Sequence, residues 1–202
     1  KVGAGKSTLL RLLAGQSIAT KGKVIIDGVD LAHIDPRDVR RQVGFLSQDS
    51  RLFFGTLRQN LMLGHPNATE AELLQALRIS GALSMVQQDA ASLDRLINEG
   101  GRGLSGGQRQ MVLLSRLIVR NPQIVLLDEP TASMDEQLEA QVIRQLQQWL
   151  TGRTLVLVTH RPALLNLVDR IIVMENGKVI ADGPRDQLLK QAQRNSNVAS
   201  VA

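Results

Sequence analysis

Residues 124–129 read IVLLDE: Ile124, Val125, Leu126 and Leu127 run without a break into the paired carboxylates of Asp128 and Glu129. A short, continuous apolar run of this kind suits a strand buried on both faces. Its two acids would then leave the sheet together at one strand end. Strands often end in acidic residues, so the meaning of the pair depends on what else the chain carries.

The amino end supplies a partner. Gly3-Ala4-Gly5-Lys6-Ser7 is a glycine-rich stretch leading into Thr8-Leu9-Leu10-Arg11-Leu12-Leu13-Ala14, whose apolar spacing predicts a helix stopped at Gly15. Glycines at such a turn let backbone N–H groups close around phosphates, and the helix start adds its partial positive charge. Lys6 can reach outer phosphates and the Ser7 hydroxyl can ligate Mg²⁺. With Lys6 and Ser7 in the same chain, Asp128 is expected at the Mg²⁺ site and Glu129 where a water attacking a γ-phosphate could be oriented and polarised. The full pattern has a further glycine just before Lys1 and a strand feeding the loop, so both are expected to be missing from these residues.

Between the two stands Leu104-Ser105-Gly106-Gly107-Gln108. Five specified residues coincide by chance on the order of once per million positions at background frequencies. Ser105 and Gln108 have capping-box spacing, and the glycines expose backbone N–H groups at a helix start, a second anion-binding terminus. Two phosphate cradles in one chain suggest two nucleotides and hence a dimer.

Around these motifs the chain alternates. Val24 to Val29 enters an Asp27-Gly28 hairpin turn, Asp35-Pro36 opens a short helix, and a strand follows over 43–48. Residues from about 50 to 120 become mostly helical, with a capping box at Thr69-Glu70-Ala71-Glu72 and Leu73, Leu74 and Leu77 following it. Then come strand 123–128, helix 136–150, strand 154–159, a short helix after Pro162 and strand 170–174, a rhythm that predicts a parallel sheet with helices on its faces. Asn176-Gly177 makes another hairpin turn, a last helix covers 184–193, and the polar residues beyond are expected to fray.

Composition narrows the class. The 202 residues are 43% hydrophobic, enough for one domain with a core, and carry a net charge of +5 without a polybasic run. Nucleic-acid binding is therefore not expected. Cysteine is absent, which excludes disulfides and thiolate metal sites, and the three histidines, His33, His65 and His160, have no ligand-like spacing. No apolar run nears the roughly 20 residues of a membrane span. No secretory signal is expected, since a folded-domain motif already occupies residue 1 onward.

In the order of these motifs the chain resembles the nucleotide-binding domain of ATP-binding cassette (ABC) proteins. The resemblance implies Walker A at 3–8 (Gly3, Ala4, Gly5, Lys6, Ser7, Thr8), a Q-loop at Gln48, the signature at 104–108 and Walker B at 124–129. Ala132-Ser133-Met134-Asp135 matches the D-loop and His160 the switch histidine. It implies an α/β P-loop NTPase fold: a three-layer α/β/α core, a mostly parallel sheet, small antiparallel hairpins and an inserted helical subdomain. The core would be 1–48 and 121–193, the helical and signature part about 49–120, and 194–202 a flexible tail.

It further implies ATP and Mg²⁺ as ligands, with Ser7, Gln48 and Asp128 at the metal, and Glu129 and His160 as catalytic residues. A head-to-tail dimer with a second nucleotide-binding domain would place Ser105, Gly106, Gly107 and Gln108 on the partner's nucleotide. Asp135 suits a helix cap or that dimer interface equally well. His33, His65 and Trp149 read as surface or packing residues.

Gln48 to Leu61, and Glu99-Gly100-Gly101-Arg102-Gly103, look like the exporter subgroup; Phe53-Phe54-Gly55-Thr56-Leu57 most resembles bacterial type I protein-secretion ATPases. That subgroup implies transmembrane domains as partners, met by the apolar segment and Glu99, with a periplasmic adaptor and an outer-membrane channel beyond. The implied place is the cytoplasmic face of a bacterial inner membrane. Phe53 and Phe54 also suit a plain subdomain core. Two other readings stand beside the exporter: a soluble cassette ATPase acting on nucleic acid, and a non-catalytic fragment lacking its upstream strands and adenine-stacking aromatic residue.

Overall fold

The computed structural model of the chain describes residues 3–88 and 91–199; Lys1 and Val2, part of the opening loop, and the last three residues of the expected tail lie outside them. From the amino end, α1 (Lys6–Leu13) precedes a hairpin of β1 (Ile25–Ile26) and β2 (Val29–Asp30). Asp27 and Gly28 at its turn have φ of 49° and 83°, the positive values a two-residue turn of this hand requires. The Asp35 carboxylate accepts the Arg37 N–H to start α2 (Pro36–Gln42), which passes directly into β3 (Val43–Leu46).

The helical stretch holds α3 (Leu57–Met62), α4 (Glu70–Ser80), α5 (Leu83–Gln87) and α6 (Gly106–Arg120). The capping boxes at Thr69–Glu72 and Ser105–Gln108 both form. An antiparallel ribbon of β4 (Gly55–Thr56) and β5 (Leu96–Ile97) lies among these helices and was not expected. With two residues in each strand there is no alternation to read, so the pairing is set by tertiary contact.

β6 (Ile124–Asp128) follows, then α7 (Glu136–Trp149), β7 (Thr154–Val158) and a 3₁₀ stretch over Pro162–Leu167. The chain ends with β8 (Arg170–Glu175), β9 (Lys178–Pro184) and α8 (Arg185–Ala199). The last helix outruns the expected 184–193 because no glycine or proline interrupts it.

The sheet that carries IVLLDE is parallel, ordered β3-β6-β7, with Val43 opposite Ile124 and Ile124 opposite Thr154. β6 is its middle strand, buried from Val125 to Asp128. Its side chains part to two cores: Val125 and Leu127 join Val112, Leu114, Val142 and Leu146 of α6 and α7, whereas Leu126 meets Leu10, Val39 and Val43 on the α1–α2 side. Helices thus cover both faces, which makes the three layers expected.

β8 meets one expectation and departs from another: the Asn176-Gly177 hairpin forms and pairs it antiparallel with β9, but it does not join β3-β6-β7, the parallel series in which 170–174 was also read. The Asn176-Gly177 turn, with φ of 50° and 74°, folds the chain straight back and brings β9 to it first. An apolar groove of about 490 Å³ separates this hairpin from β7, lined among others by Leu9, Leu10, Leu155, Leu157, Ile171 and Met174.

Candidate active site

The sheet delivers its polar residues to one end. Gly3 and Gly5 both take positive φ, 81° and 88°, turning the chain into α1 so that its first N–H groups point outward. Among the described residues no side chain caps that helix start, the arrangement in which a helix N-terminus offers its N–H groups to an anion. The loop leans on the β8–β9 turn, where the Gly177 N–H donates to the Ala4 carbonyl at 3.2 Å. Arg11 of α1 pairs with Asp49 at 2.7 Å and so ties the helix to the segment beside Gln48.

A cavity of about 520 Å³ opens over this loop, and Gly3 to Thr8, Gln48, Asp128, Glu129 and His160 all line it. A second, of about 470 Å³, shares Gln48, Asp128 and Glu129 and reaches across to Gly106 at the start of α6. The acids therefore stand where the two meet. Asp128 is 3% exposed, and its Oδ1 has no hydrogen-bond partner among the described residues. Glu129 Oε1 is likewise buried and unpartnered, 3.9 Å from His160 Nε2, while its Oε2 accepts the Thr159 hydroxyl at 3.4 Å.

Burying two carboxylate oxygens without partners is costly, so the site is complementary to something that supplies donors or positive charge. Ser7, Gln48 and Asp128 offer oxygens from separate elements around the same space. The described residues assemble no cluster of three or more His, Cys, Asp or Glu. A hard cation that keeps waters and binds through one carboxylate plus substrate phosphates, such as Mg²⁺, fits this donor set.

The signature residues do not line the loop's own cavity. Ser105 caps α6, accepting the Gln108 N–H at 3.1 Å, and Gln108 Oε1 accepts the Ser105 N–H at 2.9 Å. The two glycines have a reason inside the chain: a Cβ on Gly106 would sit 3.0 Å from that of Ser133, and one on Gly107 would sit 3.0 Å from the Ser133 carbonyl. Asp135 caps α7 by accepting the Leu138 N–H at 2.8 Å.

Comparison with known proteins gives the family. The family described as ABC transporter matches residues 1–132. The chain belongs to the ABC transporter family. It is 38% identical over 188 residues to the leukotoxin translocation ATP-binding protein LktB of Pasteurella haemolytica-like sp., covering 93% of this chain and 27% of LktB. It is 38% identical over 187 residues to the cyclolysin secretion/processing ATP-binding protein CyaB of Bordetella pertussis, covering 93% of this chain and 26% of CyaB. A solved bacterial Atm1-family ABC exporter with ATP bound superposes with a TM-score of 0.90 at 32% identity, covering 95% of this chain and 34% of that one. The chain thus spans about a quarter to a third of these relatives.

Within this ABC fold several polar residues that the motifs do not include hold the site together. Gln110, on α6, donates from Nε2 to the Glu129 carbonyl at 2.6 Å and accepts the Ser133 N–H at Oε1, 3.0 Å away. Arg161 donates to the Ala132 carbonyl at 3.0 Å, and its Nη1 lies 3.2 Å from Glu139 Oε2. Thr159 accepts the Arg161 N–H at 2.9 Å besides meeting Glu129. Only position next to a motif hints at these residues, because their partners, three backbone atoms and the Glu129 carboxylate, lie 19 to 30 residues away.

Proposed function

We propose that this protein binds and hydrolyses ATP, and that it does so as the nucleotide-binding domain of an ABC exporter for protein or peptide secretion. The observation that carries the reading is the pair of buried, unpartnered oxygens, Asp128 Oδ1 and Glu129 Oε1, facing the loop that opens α1.

In this reading the N–H groups of residues 3–8 and the Lys6 amine hold the phosphates. Ser7, Gln48 and Asp128 hold Mg²⁺, which when bound offsets the charge developing on the phosphoryl oxygens. Glu129 accepts a hydrogen bond from a water and polarises it toward the γ-phosphorus. His160, whose Nε2 lies 3.9 Å from Glu129 Oε1, contacts the γ-phosphate. Ser105, Gly106, Gly107 and Gln108, which do not line their own loop's cavity, bind the nucleotide of a second copy in a head-to-tail dimer, and Asp135 borders that interface while capping α7.

Closing of the dimer on ATP and its reopening after hydrolysis would bias transmembrane domains between two states. None of the described helices is long and apolar enough to cross a membrane. Those domains are partners at the cytoplasmic face of a bacterial inner membrane, with a periplasmic adaptor and outer-membrane channel completing a type I secretion route. The relatives LktB and CyaB, named for toxin translocation and secretion, support this subgroup.

Glu129→Gln tests the reading, since it keeps the shape of the side chain and removes the base. Full-length protein carrying it should bind ATP as the parent does and lose turnover. Unchanged hydrolysis would overturn the role of Glu129.

A further inference from the structure

Glu129 has a left-handed backbone, φ 51°, a strained conformation for a residue with a long side chain. Such a conformation persists only where its surroundings impose it. The Glu129 N–H donates to the Val158 carbonyl at 2.9 Å, which fixes one side of the peptide against β7. On the other side its carbonyl receives the Ala132 N–H at 3.3 Å and, much closer, the Gln110 amide at 2.6 Å. The same Gln110 amide receives the Ser133 N–H at 3.0 Å.

One side-chain amide thus bridges both ends of the turn 129–133. Only one orientation of that amide serves, because the Glu129 carbonyl needs a donor and the Ser133 N–H needs an acceptor. Gln110 stands on α6, five residues beyond the Ser105 cap. Gly106 and Gly107 press that same helix end against Ser133. A shift of the α6 start therefore reaches the Glu129 peptide through a single side chain.

We propose that Gln110 is a positioning residue for hydrolysis: its amide holds the left-handed backbone that aims the Glu129 carboxylate, and it ties that carboxylate to the signature end of the same chain's α6. The inference rests on Glu129 as the base. Two consequences follow. Gln110 acts on turnover and leaves nucleotide affinity alone, since it lines the inner cavity and not the one over residues 3–8. The donor half of the amide matters more than the acceptor half, because the donor meets the residue that carries the chemistry.

Splitting the amide separates the halves. Gln110→Glu keeps an acceptor for Ser133 and turns an anion on the Glu129 carbonyl; Gln110→Lys keeps a donor for that carbonyl and abandons Ser133. In full-length protein, Gln110→Glu should lower kcat by about tenfold to a hundredfold, the cost of misplacing a reacting group by a fraction of an ångström to an ångström. ATP affinity and melting temperature should stay at parental values, and Gln110→Lys should recover most of kcat. Equal loss in both variants, parental kcat in Gln110→Glu, or a kcat loss matched by lost ATP affinity or melting temperature would each overturn the proposal. Glu129→Gln is measured beside them: if it turns over normally the base assignment itself fails, whereas an inactive Glu129→Gln with a fully active Gln110→Glu removes Gln110 alone.

Discussion

The Arg161 guanidinium lies 3.2 Å from the carboxylate of Glu139, whose side chain is only 8% exposed. The Thr131 hydroxyl donates to the other carboxylate oxygen, and Arg161 also donates to the Ala132 carbonyl. The residue after His160 is thereby fastened to α7 and to the turn that follows Glu129. Removing the cation leaves a buried charge with a hydroxyl as its sole partner among these contacts. Arg161→Met should destabilise the protein by about 2–3 kcal/mol, below the range for a fully buried pair because Arg161 is one-third exposed. Glu139→Gln, which removes the charge and keeps the shape, should cost less; urea unfolding of the two variants checks the order.

Arg116 does comparable work at the other end of α6. Its guanidinium donates to the Asn60 carbonyl at 3.0 Å, the Asn60 side chain at 2.9 Å and the Arg51 carbonyl at 3.0 Å, and it sits 5.4 Å from the Phe53 ring centroid. Burial lowers its pKa from the ordinary arginine value, so the charge is retained against a desolvation cost. A lysine cannot reproduce a planar fork that reaches three oxygens. Arg116→Lys should therefore cost about 1–2 kcal/mol and loosen residues 51–60. The checks are thermal melting and amide exchange over that segment, with faster exchange at the Phe53 N–H, which donates to Asn60 Oδ1.

Much of this was legible in the chain because the signals were local. The capping spacing at Ser105–Gln108, the Asp27-Gly28 turn and the apolar run before Asp128 each name their own structure within a few residues. The parallel order β3-β6-β7 was less visible, since pairing depends on which strands meet and not on any one of them; hence 170–174 was counted in the parallel series as well as in the Asn176-Gly177 hairpin, and among the described strands it pairs only in the hairpin. The β4–β5 ribbon was invisible for the same reason. At the site, the residues that would contact nucleotide could be named from motifs, whereas Gln110, Thr159 and Arg161 could not. Their partners lie far along the chain and include main-chain atoms, which any residue type supplies, so composition and local spacing carry no trace of them.

The β8–β9 hairpin offers a pH-dependent test away from the site. Arg170 Nε and Nη2 each lie 2.6 Å from an Asp182 oxygen, a two-point pair on exposed strands. The hydrogen-bonded guanidinium holds the Asp182 carboxyl below its ordinary pKa of 3.8 and raises that of Arg170. A carboxyl with a depressed folded-state pKa stabilises the fold fully above its unfolded value, and that contribution is lost as pH falls through the folded value. Asp182→Asn should speed amide exchange in the hairpin at neutral pH. The gap from the parent should close as pH drops through the carboxylate range, and a gap independent of pH would show that charge is not its source.

Asp128 should show the trade between binding and stability most directly. Its unpartnered Oδ1 is a liability in the ligand-free fold and the contact that a divalent cation would complete. Asp128→Asn keeps the side chain's shape and removes the buried charge, so in metal-free buffer its melting temperature should equal or exceed the parent's. With Mg²⁺ present, ATP affinity should fall by about tenfold or more, the weight of one charge-assisted contact of roughly 1.5–3 kcal/mol. In excess chelator the two proteins should bind ATP alike, because residues 3–8, proposed to hold the phosphates, are untouched. Calorimetric titration with and without Mg²⁺ separates these cases: an equal loss in both would mean that Asp128 shapes the loop and does not serve the cation.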